Sequence, residues 1–126
     1  MRIGALIRDS RATSAVEFGI TAPAFFAALL GAFELGLLLW SQVTLQHATE
    51  LAARCASVNP AVCSNQTTTQ AYAAQQALGL TVPASTFSVS SPACGNQVTA
   101  SYDFMNIAAM FGIPKITLNA KSCFPR

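Results

Sequence analysis

The sequence predicts an α+β protein in which a long N-terminal transmembrane helix continues past the membrane and carries a small head. The head is expected to hold one further helix and about three antiparallel strands. Three observations predict this. From Phe18 to Trp40 the only charged residue is Glu34, and a helix rising ~1.5 Å per residue covers the hydrocarbon core of a bilayer over such a stretch. Beyond Trp40 a helical rhythm persists to Val58. From Thr86 onward the pattern changes to the period-two alternation of half-buried strands.

The chain has 126 residues, room for one small domain once the apolar helix is set aside. A domain of that size has little core and calls for covalent staples. The 52% hydrophobic content and mean hydropathy of +0.45 come largely from the helix, and the later sequence is rich in Ser, Thr, Asn, Gln and Ala. A net charge of +2 from 7 basic and 5 acidic side chains is no footprint for nucleic acid.

The first thirteen residues, MRIGALIRDSRAT, carry Arg2, Arg8 and Arg11 against Asp9, whereas the flank after the span offers Arg54. The positive-inside rule places the N-terminus in the cytoplasm and the head outside. A cleaved secretory signal would have an apolar region of about 7–15 residues. This run is longer, and it is opened by Glu17 and interrupted by Glu34.

On a helical wheel, Phe25, Phe26, Leu29, Leu30, Phe33, Leu37 and Trp40 gather on one broad side. Ala24, Ala27, Ala28, Gly31 and Ala32 gather on the other, with Glu34 at its edge and Glu17 on the same half. The bulky side suits lipid, and the small side lets a second helix approach closely. A carboxylate at the centre of a membrane helix costs about 2.5–3.5 kcal/mol on the insertion scale. The helix supplies no cation for Glu17, so its partner is expected from another chain or from the chain's own terminus.

The stretch RATSAVEFGITAP resembles the class III signal of type IV pilin-like proteins, and more closely that of the TadE-like pseudopilins of tight-adherence (Tad, or Flp) pilus systems. Those proteins have a basic leader, a small residue at the cut, and Glu-Phe or Glu-Tyr opening an apolar helix. Pro23, the later GAFELG with Glu34, and QVTLQHATELAARCA are similar to the same pattern. The resemblance implies cleavage by a prepilin peptidase between Ala12 and Thr13, with Ala12 standing where the family usually has Gly. Glu17 and Phe18 then become the fifth and sixth residues of the mature chain. It further implies a pilin-like fold and an inner-membrane location with a periplasmic head. Other pilins or pseudopilins would be the partners through the helix, with Glu17 setting the assembly register. The major pilin of such a system is much shorter and nearly headless, so a minor pseudopilin is the expected role. The division expected is a leader at 1–12, a transmembrane and extended helix at 13–58, and a head at 59–126.

In SQVTLQHATELAARCASV, residues 41–58, the stripe of Trp40, Val43, Leu51, Cys55 and Val58, filled by Ala48 and Ala52, is expected to seat the head. Glu50 and Arg54 form an i, i+4 pair, and His47 reads as a solvated helix residue. Asn59-Pro60 ends the helix. Thr67 to Leu78 reads as a short helix closed by Gly79. The strands are expected at 86–91, 96–104 and 115–124, with PACGN turning between the first two. Met105 to Ile113 is an apolar connection, expected to include a helical turn and to stop at Pro114. Tyr72, Tyr102 and Phe104 read as core or rim aromatics.

Cys55, Cys63, Cys94 and Cys123 all follow the span, which fits an oxidising compartment. Four cysteines allow three pairings, and the favoured one joins Cys55 to Cys63 and Cys94 to Cys123. Their spacings lack the close Cys-x-x-Cys pairs of structural zinc. There is no Gly-rich phosphate loop, HExxH or GxSxG. With one histidine there is no nucleophile, base and orienter set, so neither an enzyme nor a cofactor is expected. The reading from a different class is a permanently anchored inner-membrane envelope binding protein that never assembles.

Overall fold

The computed structural model describes residues 10–126, apart from the side chains at 10–12, 108 and 111. Most of the basic leader, residues 1–9, lies outside the described residues. Helix α1 runs Ser10–Val58 and includes Pro23. Helix α2 is Gln66–Gln76, a 3-10 turn covers Ala84–Thr86, and strands β1 (Phe87–Ser90), β2 (Asn96–Phe104) and β3 (Ile116–Phe124) follow. A second 3-10 turn, Ile107–Phe111, links β2 to β3. The expected α+β architecture is the observed one.

Two compact units divide the chain, the first ending at Gly36 and the second running Leu37–Arg126. Among its described residues the first unit is helical only. Pro23 has no N–H to offer the carbonyl of Gly19, so one rung of the helix is missing there. The Thr21 hydroxyl donates to the carbonyl of Glu17 at 2.9 Å, which satisfies a polar side chain inside the helix itself.

The second unit is the head, and the last stretch of α1 belongs to it. The three strands form an antiparallel sheet in the order β1-β2-β3. Phe87 stands opposite Ala100 and Val89 opposite Val98. Between β2 and β3, Ala100 faces Ala120 and Tyr102 faces Leu118. Alternation puts Val98, Ala100 and Phe104 of β2, with Leu118 and Ala120 of β3, on the buried face. They meet Leu45, Ala48, Ala52 and Ala53 of α1, Ala73 and Ala77 of α2, Val82 and Phe87. Tyr72, Tyr102 and Phe124 pack at the margin of that core.

The seat of the head on α1 is the expected stripe only in part: its Ala48, Ala52 and Cys55 are buried, but its bulky Trp40, Val43 and Val58 are not. Trp40 is 60% exposed, Val43 67% and Val58 64%, while Ser41, Thr44, Leu45, Ala48, Thr49, Ala52 and Ala53 are buried. The buried face is turned away from the bulky residues of the expected one. Close approach explains the choice. A seat of Ala, Ser and Thr lets the sheet lie near the helix axis, and the hydroxyls are satisfied locally. Ser41 Oγ donates to the Leu37 carbonyl at 2.8 Å and Thr49 Oγ1 to the Gln46 carbonyl at 2.8 Å. No described side chain has a buried polar atom without a partner.

Side chains of the helices reach both sheet edges and pair some of their open backbone carbonyls. Along β3, Gln42 Nε2 donates to the Asn119 carbonyl at 2.9 Å and Gln46 Nε2 to the Lys121 carbonyl at 3.2 Å. Higher on α1, Ser57 Oγ donates to the Phe124 carbonyl. Along β1, Gln70 Nε2 of α2 donates to the Phe87 carbonyl at 2.7 Å. Helix α2 starts at a capping box: Thr68 N–H donates to Asn65 Oδ1 at 3.0 Å, and Asn65 N–H donates to Thr68 Oγ1 at 3.1 Å.

Candidate functional site: the apolar helix

The features that point to function lie on the first unit, where a helix is built with no core of its own. Apart from the rung missing at Pro23 it can satisfy its backbone internally, as a segment in lipid must, and its large side chains stand outward. Phe18, Phe25, Phe26, Leu29, Leu30 and Phe33 are all exposed. The rings of Phe25 and Phe26 meet edge to face with centroids 5.7 Å apart. Phe18, Thr21, Ala22, Phe25 and Phe26 line a shallow apolar groove along the helix surface.

Each residue singled out from the sequence can be placed. Ala12 and Thr13 lie within α1, so the bond expected to be cut is helical here. Thr13, Glu17 and Phe18 are exposed, and Glu34 is half-buried. Thr13 and Glu17 are four residues apart and stand on one helix face. Glu17 and Glu34 are about 25 Å apart along the axis, so the two acids do not form one site. The glycines Gly19, Gly31 and Gly36 have nothing within 4 Å of where a Cβ would stand. They leave open surface along which another helix can approach.

The cysteines are in the head. Cys55 is bonded to Cys63 and Cys94 to Cys123, the favoured pairing of the three. The first clips the end of α1 to the turn after it. The second ties the β1–β2 turn to the end of β3. Beside the first, Leu51, Arg54, Val58, Asn59, Val62 and Tyr72 border an open groove. Among the described residues no group of three or more His, Cys, Asp or Glu is placed to hold a metal.

Two features escaped the sequence reading. The Ser and Thr part of the small-residue seat on α1 was hidden because these residues do not score as apolar. The outward aim of Met105 and Met110 in the β2–β3 connection was hidden because an apolar connection reads as core.

Among the described residues one helix is long and apolar enough to cross a membrane, and with the small disulfide-bonded α+β head it gives a pilin-like architecture that suggests a single-pass membrane protein. Residues 12–54 match the family described as TadE-like protein, so that segment, about a third of the chain, is similar to the TadE-like proteins associated with Tad pili, a structural rather than enzymatic kind of protein. The matched segment opens at Ala12, contains Glu17, Phe18 and Glu34, and closes at Arg54, so α2 and the sheet lie beyond it. No curated protein and no solved structure matches the chain.

Proposed function

We propose that the chain is a minor pseudopilin of a Tad-type pilus machine. It resides in the inner membrane with its N-terminus in the cytoplasm and its head in the periplasm. A prepilin peptidase removes residues 1–12, and the mature protein joins other pilins or pseudopilins through α1 and contributes to pilus biogenesis and adhesion. It performs no catalysis and takes no cofactor.

The observation that carries this reading is the position of Glu17. It is the acid that opens the apolar run inside the family-matched segment, four residues after Thr13. Cleavage before Thr13 creates an amine at the start of the helix. Glu17 of one subunit then pairs with the Thr13 amine of a neighbour. A charge pair in low dielectric is favourable only when both partners are in place, and an unpaired buried carboxylate is heavily penalised. The pair therefore fixes the axial register of packed helices. Register explains why an acid is retained where lipid disfavours it.

The test is Glu17→Leu expressed in the native host. The variant is expected to reach the membrane at normal levels, because the change makes insertion easier. It is expected to be lost from complexes that pull down the other pilins. Normal recovery in those complexes would show that Glu17 does not set register.

A further inference from the structure

The β2–β3 connection is built in an unusual sense: the polar Asn106 faces in, while Met105, Ile107, Met110 and Ile113 face out. Asn106 is buried, and its Oδ1 accepts from the Ala109 N–H at 2.8 Å, fixing the 3-10 turn Ile107–Phe111. The Gly112 N–H closes the turn on the Ala109 carbonyl at 3.2 Å. Held this way, Met105 is 79% exposed and Met110 85%, with Ile107 and Ile113 also exposed. With Lys115 they border a shallow apolar hollow.

The position of this patch follows from the helix–strand hydrogen bonds. Contacts advance together along α1 and β3, from Gln42 to Asn119, from Gln46 to Lys121 and from Ser57 to Phe124. Ile116 starts β3 three residues before Asn119, about 10 Å further back at strand rise. Leu37 is five residues before Gln42, about 7 Å back at helix rise. The connection thus lies level with Leu37–Trp40, where the apolar run of the sequence ends. Leu37, Leu39 and Trp40 are exposed at that end. Gly79 lies against Trp40, since a Cβ there would sit 3.4 Å from Nε1, and its neighbour Leu78 is exposed.

We propose that this end of the head rests on the bilayer, with the Met105–Ile113 connection inserted at the boundary of headgroups and acyl chains. The occupant is lipid because the patch is continuous with the end of the membrane-spanning helix. A tryptophan marks that level, as at membrane interfaces generally. Lys115, at the margin, reaches outward to phosphates while its stem stays among the apolar side chains. This inference needs α1 to span the bilayer and does not depend on processing or on Glu17.

The test uses the full chain in phosphatidylcholine vesicles, with lipids brominated near the top of the acyl chain as quenchers. Trp40 of the unaltered protein reports the membrane level. Met110→Trp and, separately, Met105→Trp, each combined with Trp40→Phe, report the connection. Val62→Trp with Trp40→Phe reports the opposite end of the head. Quenching at 105 and 110 is expected to fall within about twofold of that at Trp40, with none at 62. Absence of lipid quenching at both 105 and 110 would overturn the proposal. If both are also shielded from an aqueous quencher, a second copy covers the patch instead. Absence of quenching at Trp40 itself would remove the spanning helix and this proposal with it.

Discussion

Gly95→Ala tests whether the head is closed by the contact seen between the β1–β2 turn and the C-terminal end of β3. Gly95 has φ +126, and a Cβ added there would run into the Phe124 carbonyl oxygen and stand 2.8 Å from Pro125 Cα. Both are backbone atoms, so no side chain can swing away. Two terms add. The backbone conformation is one that L side chains rarely adopt and costs about 1–3 kcal/mol. Relief of the clash parts the chain at the Asn96–Phe124 rung, where each hydrogen bond lost costs about 0.5–1.5 kcal/mol. A total near 3 kcal/mol lowers the melting temperature of a domain of this size by roughly 12–24 °C. The assay is thermal unfolding of the oxidised protein in detergent, followed by near-ultraviolet circular dichroism of the head. Gly112→Ala is the internal comparison. It also has positive φ, at +80, but nothing lies within 4 Å of its Cβ, so about 1 kcal/mol is expected there. Equal shifts for the two variants, or a fall under ~4 °C for Gly95→Ala, would refute the close contact.

Three further outcomes follow. Ala48→Leu puts three carbons into a seat with no exposed surface and is expected to destabilise the head by about 1–3 kcal/mol, whereas Val43→Ser, on the exposed face, should change unfolding by under ~0.5 kcal/mol. Paired Cys→Ser replacement should cost more for Cys94–Cys123, with a separation of 29, than for Cys55–Cys63, with a separation of 8; chain-entropy values are about 3.6 and 2.5 kcal/mol, measurable as the order of the two melting temperatures. Lys115→Glu, at the margin of the exposed β2–β3 patch, should weaken lipid quenching of an indole placed by Met110→Trp in vesicles containing phosphatidylglycerol, since an acid there meets headgroup phosphates of its own sign.

Much of this fold can be read from local signals. Asn96–Phe104 carries both β-propensity and strict alternation, and β2 has those bounds. Asn59-Pro60 is a strong stop, and α1 ends at Val58. Gln66–Gln76 was expected to begin one residue later and end two later, because the capping box of Asn65 and Thr68 sets its start and Ala-Gln repeats mark no end. The α1 seat is legible only in part, since Ala48, Ala52 and Cys55 belong to the expected stripe and are buried, while Trp40, Val43 and Val58 belong to it and are exposed. Helical spacing gives the period of a buried face, but its phase was assigned to the bulkiest residues. In the structure the phase is set by how near the sheet can lie, which favours Ala48, Ala52 and the self-satisfied hydroxyls of Ser41 and Thr49. Phe87, nearly fully buried, opens a strand of four residues where 86–91 is expected, too short a stretch for alternation to mark it as core. The acids of α1 were legible as anomalies, since lipid disfavours them wherever they stand.

The mass of the chain recovered from the membranes of its native host, with the prepilin peptidase active, bears most directly on whether Glu17 stands fifth in a processed subunit. Loss of residues 1–12, leaving Thr13 at the N-terminus, is the predicted result. A chain that keeps its first twelve residues under those conditions would contradict it and favour a permanent anchor.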